Sequence, residues 1–264
     1  VPNGGFGRRD SAPYSDIDLM ILYRPHAASR VSPIAQRLQR DVCDIGLQLG
    51  QAARTPRQAY AFAFRDPAIF SSLAESRFLA GSVSLCQSFL RGFQRQARRR
   101  AGELVKGVTE ARAKERSQYG DTVHLLEPNL KRSRGGLRDL QLLRWVGYAR
   151  YGAADPVSLQ LQGTLYKQDY RQLRDALEWL LRLRNEIHFH AGRAQDQLNR
   201  AEQVRVARQW GYPGEPGLLP VEQFMREYFS HTGAVSRIVS RFTAGAQTPK
   251  FWNLVWHPLF SHRF

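Results

Sequence analysis

A chain of 264 residues, 42% hydrophobic and 11% aromatic, is long and apolar enough for one large core or two modest ones, which excludes a disordered chain. Lys and Arg outnumber Asp and Glu by 39 to 23, a formal net charge of +16, and this favours anionic partners such as a nucleoside triphosphate, nucleic acid or an acidic protein surface. No apolar run approaches the roughly 20 residues of a membrane span, and no signal peptide opens the chain.

Cys43 and Cys86 stand alone, without metal or disulfide spacing. They read as buried small hydrophobes in a cytoplasmic protein. Only five of the 39 basic residues are lysines. The basic residues are spread along the chain, and the one tight cluster, Arg98-Arg99-Arg100, reads as a solvated helix face, so nucleic acid is not the expected partner.

In chain order, Val1-Pro2-Asn3 runs straight into a glycine turn, Gly4-Gly5-Phe6-Gly7-Arg8. Ser15-Asp16-Ile17-Asp18-Leu19-Met20-Ile21-Leu22 follows. The stretch from Ile17 to Tyr23 is short and β-branched and reads as a buried strand. On a strand, residues i and i+2 share a face roughly 6–7 Å apart. Asp16 and Asp18 therefore project together from a strand end, a common way to hold divalent metal, and Gly4-Gly5 would let backbone N–H groups approach phosphates. The alternative is a turn with solvated carboxylates.

Next come a loop at Arg24-Pro25-His26 and a helix from Ser32-Pro33 to about Asp44. A second strand is expected over Leu47 to Thr55, and a helix starts at Thr55-Pro56. From Asp66 onward helical periodicity dominates. Amphipathic helices are expected over Asp66 to Phe89, Phe93 to Arg116, Leu137 to Tyr151, Gln168 to His190, Glu202 to Trp210 and Pro220 to Phe242. The fold class is α+β: a small α/β unit over 1–65, a larger all-helical unit over 66–246, and a hydrophobic tail over 247–264 that includes Trp252, Trp256 and Phe260.

Two places in the helical part carry polar chemistry. Leu126-Glu127-Pro128-Asn129-Leu130-Lys131-Arg132-Ser133-Arg134-Gly135-Gly136-Leu137-Arg138-Asp139 puts a double-glycine turn, ringed by cations, ahead of a helix. It reads equally as an anion site and as an ordinary helix start. Arg184-Asn185-Glu186-Ile187-His188-Phe189-His190 reads as a polar seam between helices, because His188 and His190, at i and i+2, cannot share a helix face.

The order Gly-Gly, then Ser-Asp-x-Asp leading into an apolar strand, resembles the signature of polymerase-beta-like nucleotidyltransferases. The stretch Leu-Glu-Pro-Asn-Leu-Lys-x-Ser-x-Gly-Gly-Leu-Arg-Asp is similar to a hallmark of the bacterial protein-PII uridylyltransferase/uridylyl-removing enzymes. That family's Gly-Gly-Tyr/Phe-Gly-Arg … Pro-x-Ser-Asp-Ile-Asp-Leu block matches Gly4 to Leu19, and further echoes lie at Glu75 to Gly81 and Val221 to Phe229. The resemblance implies a nucleotidyltransferase palm, here with its first strand cut to a stub, as in a fragment of a longer protein. It implies UMP transfer from UTP to a tyrosine of the PII nitrogen-regulatory protein. Asp16 and Asp18 would hold two Mg²⁺ ions, Gly4, Gly5 and Arg8 would lie against the triphosphate, and Ser15 would assist. Asn129, Lys131 and Arg138 are candidates for nucleotide or partner contact.

Three departures qualify the likeness. Gly7-Arg8-Arg9-Asp10 replaces the family's Gly-Arg-Gly-Glu. The second strand, Gly50-Gln51-Ala52-Ala53-Arg54-Thr55, lacks the third carboxylate that polymerase-beta-like enzymes often place there, and Asp44 is the nearest acid. No His-Asp pair of a phosphohydrolase domain occurs. The alternatives are a silent module that binds PII or nucleotide, or a nucleotidyltransferase acting on glutamine synthetase, tRNA or a toxin.

Overall fold

A computed structural model describes residues 1–247, so the tail expected to hold Trp252, Trp256 and Phe260 lies outside the described residues. The described residues are mostly helical with one small sheet. Strands β1 (Ile17–Leu22) and β2 (Leu49–Arg54) pair in parallel, Ile17 against Leu49 and Asp18 against Gly50. Parallel strands need a crossover, and α2 (Ala28–Asp44) supplies it. The other edge of β1 is partly covered: Pro2 bridges Leu19, and Val1 and Met20 exchange backbone hydrogen bonds. The glycine turn is the start of a five-residue helix, α1 (Gly4–Arg8), closed by Arg9 in the left-handed region at φ 66°.

The helices that follow are α3 (Pro56–Ala63), α4 (Pro67–Ala74), α5 (Val83–Arg99), α6 (Ala101–Tyr119) and α7 (Leu137–Tyr151). Then come α8 (Pro156–Leu161), α9 (Lys167–Ala191), α10 (Arg200–Gln209) and α11 (Pro220–Gln247). Local signals explain several starts. Thr55 and Gln58 form a reciprocal capping box at α3, and Asp66 caps α4 ahead of a proline at the first helical position.

Four expectations are corrected. The helix expected from Ser32-Pro33 begins at Ala28, after a 3₁₀ turn at Pro25–Ala27; its one buried residue, Val31, lies upstream of Pro33, so burying it requires helix before the proline. The single helix expected over Asp66 to Phe89 is two, because Glu75 turns inward to an ion pair with Arg8. The helix expected from Phe93 breaks at Arg100, where the buried face passes from Phe89, Phe93 and Ala97 to Leu104, Val105 and Val108. Cys86 is buried as expected, but Cys43, near the end of the solvent-facing α2, is exposed.

The core is continuous. Met20 of β1 and Ala59 and Ala63 of α3 belong to the same buried cluster as Phe70, Phe93, Leu143, Leu180, Phe224 and Val235 of the helices. Tyr60, Phe64, Phe89 and Phe93 stack with ring centroids 5.3–6.1 Å apart, a geometry that adds to simple apolar burial. This shared core holds the strand pair against α4, α6, α7 and α9, and a cleft opens between them.

Candidate active-site cleft

The cleft has a volume of about 550 Å³; the α1–β1 segment forms one wall and α4, α6, α7 and α9 the other. Asp16, just ahead of β1, and Asp18, its second residue, both line it. The Asp18 carboxylate sits between two glycines. A Cβ on Gly4 would lie 3.0 Å from Oδ2, and one on Gly50 would lie 2.7 Å from Oδ1. Gly4 also adopts φ +52°, a left-handed conformation that favours glycine, so a side chain there is strained and presses on the carboxylate. Partial burial and the neighbouring charge of Asp16 raise the Asp18 carboxyl above its ordinary range, while Lys131 and Arg8 pull it down.

Among the described residues, no hydrogen bond or ion pair engages the Asp16 or Asp18 side chain. Two adjacent, unneutralised carboxylates facing a cleft are hard oxygen donors of the kind Mg²⁺ takes, with water and phosphate oxygens completing its shell. The donor set therefore fits Mg²⁺. It stays at two: among the described residues no three metal-binding side chains come together. Asp44, the last residue of α2, does not line the cleft. The other acids that do are already committed: Asp10 and Glu75 to Arg8, Glu115 to Arg112 and Asp196 to Arg184.

Arg8, expected beside the triphosphate, lines the cleft but is held from both sides. Its Nε lies 2.8 Å from Asp10, its Nη1 pairs with Glu75, and Trp145 Nε1 donates to the same Glu75 carboxylate at 2.6 Å. Ser15 is the opposite case. Its Oγ is buried in the cleft wall and has no hydrogen-bond partner, an unspent group of the kind that a ligand satisfies.

The second candidate loop divides the same way. Asn129 is consumed in shaping it: Oδ1 accepts from the amides of Lys131 at 3.1 Å and Arg132 at 2.8 Å. The double glycine is a packing device. A Cβ on Gly135, at φ +77°, would lie 2.1 Å from the Thr232 carbonyl of α11, and one on Gly136 would lie 2.6 Å from the Leu130 carbonyl. Every amide from Gly135 to Asp139 is bonded within the protein, to Asp139 Oδ2 and the carbonyls of Ser133, Leu130, Lys131 and Gly136. The helix start therefore presents no free N–H to an anion, and the anion reading of this backbone is corrected.

What the loop does present is side chains. Lys131 reaches into the cleft without a hydrogen bond or ion pair among the described residues, and burial, with Arg138 and Arg184 nearby, lowers its ammonium pKa. Arg138 lies over the Trp145 ring at 5.7 Å and donates to Gln141. Beneath them Arg112, 2% exposed, pairs with Asp139 at 2.7 Å and donates to the carbonyls of Arg132 and Ser133.

The seam read from Arg184 to His190 has partners that sequence reasoning missed. Arg184 and His188 both reach Asp196, and His188 also bonds the Pro13 carbonyl, 175 residues away. Asp196 meets Arg184 and His188 across the turn that ends α9, and Glu75 meets Arg8, 67 residues away; neither pairing is announced by a local pattern. His190 points elsewhere, to Glu202 at 2.9 Å.

Residues 104–243 match the family model of the GlnD PII-uridylyltransferases. Curated relatives are similar over nine-tenths of the chain. The bifunctional uridylyltransferase/uridylyl-removing enzyme of Cereibacter sphaeroides is 32% identical over 242 residues, 91% of this chain and 26% of its own length. That of Pseudomonas aeruginosa strain LESB58 is 33% identical over 90% of this chain and 26% of its own length. That of Ectopseudomonas mendocina is 35% identical over 89% and 26% respectively. The chain thus spans about a quarter of the length of the curated relatives it matches.

Proposed function

The chain belongs to the GlnD PII-uridylyltransferase family, and from its cleft we propose that it is a Mg²⁺-dependent nucleotidyltransferase moving UMP from UTP to a tyrosine of the PII protein. One observation carries the reading: the Asp18 carboxylate, given room by Gly4 and Gly50, stands with Asp16 on one wall of a cleft whose other wall presents Lys131. Paired acids facing a buried cation suit a triphosphate.

Asp16 and Asp18 would hold Mg²⁺, which when bound supplies charge neutralisation at the phosphates and a lowered barrier to hydroxyl attack. Lys131 binds phosphate as a point charge from the opposite wall, and the Ser15 hydroxyl donates to a phosphate oxygen. Arg8, braced by Asp10 and Glu75, adds positive field and keeps α1 against α4. The tyrosyl oxygen, losing its proton to solvent, forms a bond to the α-phosphorus as the bond to pyrophosphate breaks, and the cleft holds the two reactants together. By the same reading the protein works in the cytoplasm; among the described residues no helix is long and apolar enough to cross a membrane.

The test is transfer of label from α-labelled UTP to purified PII in the presence of Mg²⁺, with the Asp16→Asn and Asp18→Asn variants as controls. Labelled PII with wild type alone supports the reading; no transfer under conditions where a full-length relative succeeds sinks it. A second reading rests on β2, whose residues Leu49–Arg54 include no acid: a module that binds UTP or PII without turnover. Calorimetric binding of UTP without pyrophosphate release would select it.

A further inference from the structure

His188 is fully buried on α9, yet both of its ring nitrogens are engaged. Nδ1 lies 2.6 Å from the Pro13 carbonyl oxygen, and Nε2 lies 3.1 Å from Asp196 Oδ1. A carbonyl can only accept. The Asp196 carboxyl, which burial alone would raise, is held well below the usual range by hydrogen bonds from His188 and Arg184, so it too only accepts. Each ring nitrogen thus faces an acceptor oxygen, one from each side of the contact.

The two ends of this contact lie on opposite walls of the cleft. Pro13 opens the segment leading to Ser15 and Asp16. That segment has little else to hold it: Tyr14 adopts φ +61°, a sparsely populated conformation for a bulky residue, and Ser15 N reaches Ala12 O at 3.2 Å. Among the described residues, the bond from His188 is the side-chain hydrogen bond that residues 12–16 receive. At the other end, the backbone carbonyl of Asp196 accepts from Leu130 N at 2.8 Å, one residue before Lys131.

We propose that His188 is a positioning residue of the transfer site: a buried ring, bonded at both nitrogens, that fastens the Pro13–Asp16 segment to the Asp196–Leu130 contact and so sets Asp16 and Ser15 against Lys131. This rests on the reading of Asp16 as a metal-holding carboxylate. It differs from a merely stabilising seam in what it moves, since the carboxylate wall should loosen locally while the helices stay in place.

Hydrogen exchange on the whole chain tests it, with His188→Phe, which keeps a ring and loses both ring nitrogens, and His188→Gln, which reaches one partner at a time. Exchange across residues 10–16 should accelerate about tenfold or more in the Phe variant, with α7 and α11 unchanged. Mn²⁺ affinity, read by electron paramagnetic resonance, should weaken severalfold, and the Gln variant should fall between. If the Phe variant does not melt cooperatively, the Gln variant is read by the same two measurements. A cooperatively melting variant with wild-type exchange at 10–16 and wild-type Mn²⁺ affinity overturns the proposal. A wild-type chain that neither binds Mn²⁺ nor transfers UMP sinks the functional reading instead, and exchange alone then decides the role of His188.

Discussion

Gly50 of β2 stands in register with Asp18 of β1, and a Cβ at position 50 would lie 2.7 Å from Asp18 Oδ1. β2, which carries no acid, thus gives up its side chain at position 50 to make room for Asp18. The geometry makes the two residues one unit: Asp18 can turn its carboxylate toward Gly50 because nothing grows from that position.

Gly50→Ala follows from this contact. Alanine restricts the unfolded chain more than glycine does, so less entropy is lost on folding and stability should hold or rise slightly. The carboxylate must move, and a displacement near 1 Å in a transfer site costs up to about a hundredfold in rate. We expect a drop in UMP transfer of about tenfold or more with the melting temperature within about 3 °C of wild type. A wild-type rate would show that Asp18 does not act from the position described.

Asp18→Asn should separate stability from activity. The Asp18 carboxyl is raised in the folded chain by partial burial and Asp16, so folding disfavours its charged form. The cost is present at neutral pH and fades as pH falls toward the unfolded value near 4. In metal-free buffer the variant should melt higher than wild type at pH 7, with the gain shrinking at pH 4, and it should transfer nothing. Calorimetry at the two pH values gives the sign, and a variant less stable at pH 7 contradicts the argument.

Lys131→Met removes the cation facing Asp18. Burial lowers the Lys131 ammonium pKa, so the fold pays for holding it charged, and Met should be neutral or stabilising. A charge-assisted hydrogen bond to phosphate is worth about 1.5–3 kcal/mol, roughly ten- to a hundredfold in affinity. The KM for UTP should rise by about that factor in steady-state transfer assays. An unchanged KM would remove Lys131 from nucleotide contact.

The parts of the site that were legible in the sequence are local. Asp16 and Asp18, two residues apart at the start of β1, both line the cleft, and α7 runs over Leu137–Tyr151 as its spacing implies. What was hidden depends on partners far along the chain. Glu75 breaks a continuous helical pattern to meet Arg8, 67 residues earlier, and His188 finds Pro13. The double glycine at Gly135-Gly136 shows a different limit. Its composition suits an anion turn, but the approach of α11 at the Thr232 carbonyl decides that it is a packing contact, and no local pattern carries that information.

Arg112→Met tests the platform beneath Lys131. The guanidinium and Asp139 are each 1% exposed as side chains, and Arg112 also bonds the carbonyls of Arg132 and Ser133. Removing one partner of a buried pair leaves the other charged and costs about 3–5 kcal/mol, here roughly 10 °C in melting temperature. Asp139 would keep its bond from Gly135 N at 2.7 Å, so the fold should survive at low temperature with the loop displaced. Because that loop carries Lys131, the folded variant should show a raised KM for UTP, and adding Lys131→Met should raise it little further. Such non-additivity in a double-mutant cycle would place both residues in one unit. Additive effects would mean that Arg112 serves stability alone and that Lys131 keeps its position without it.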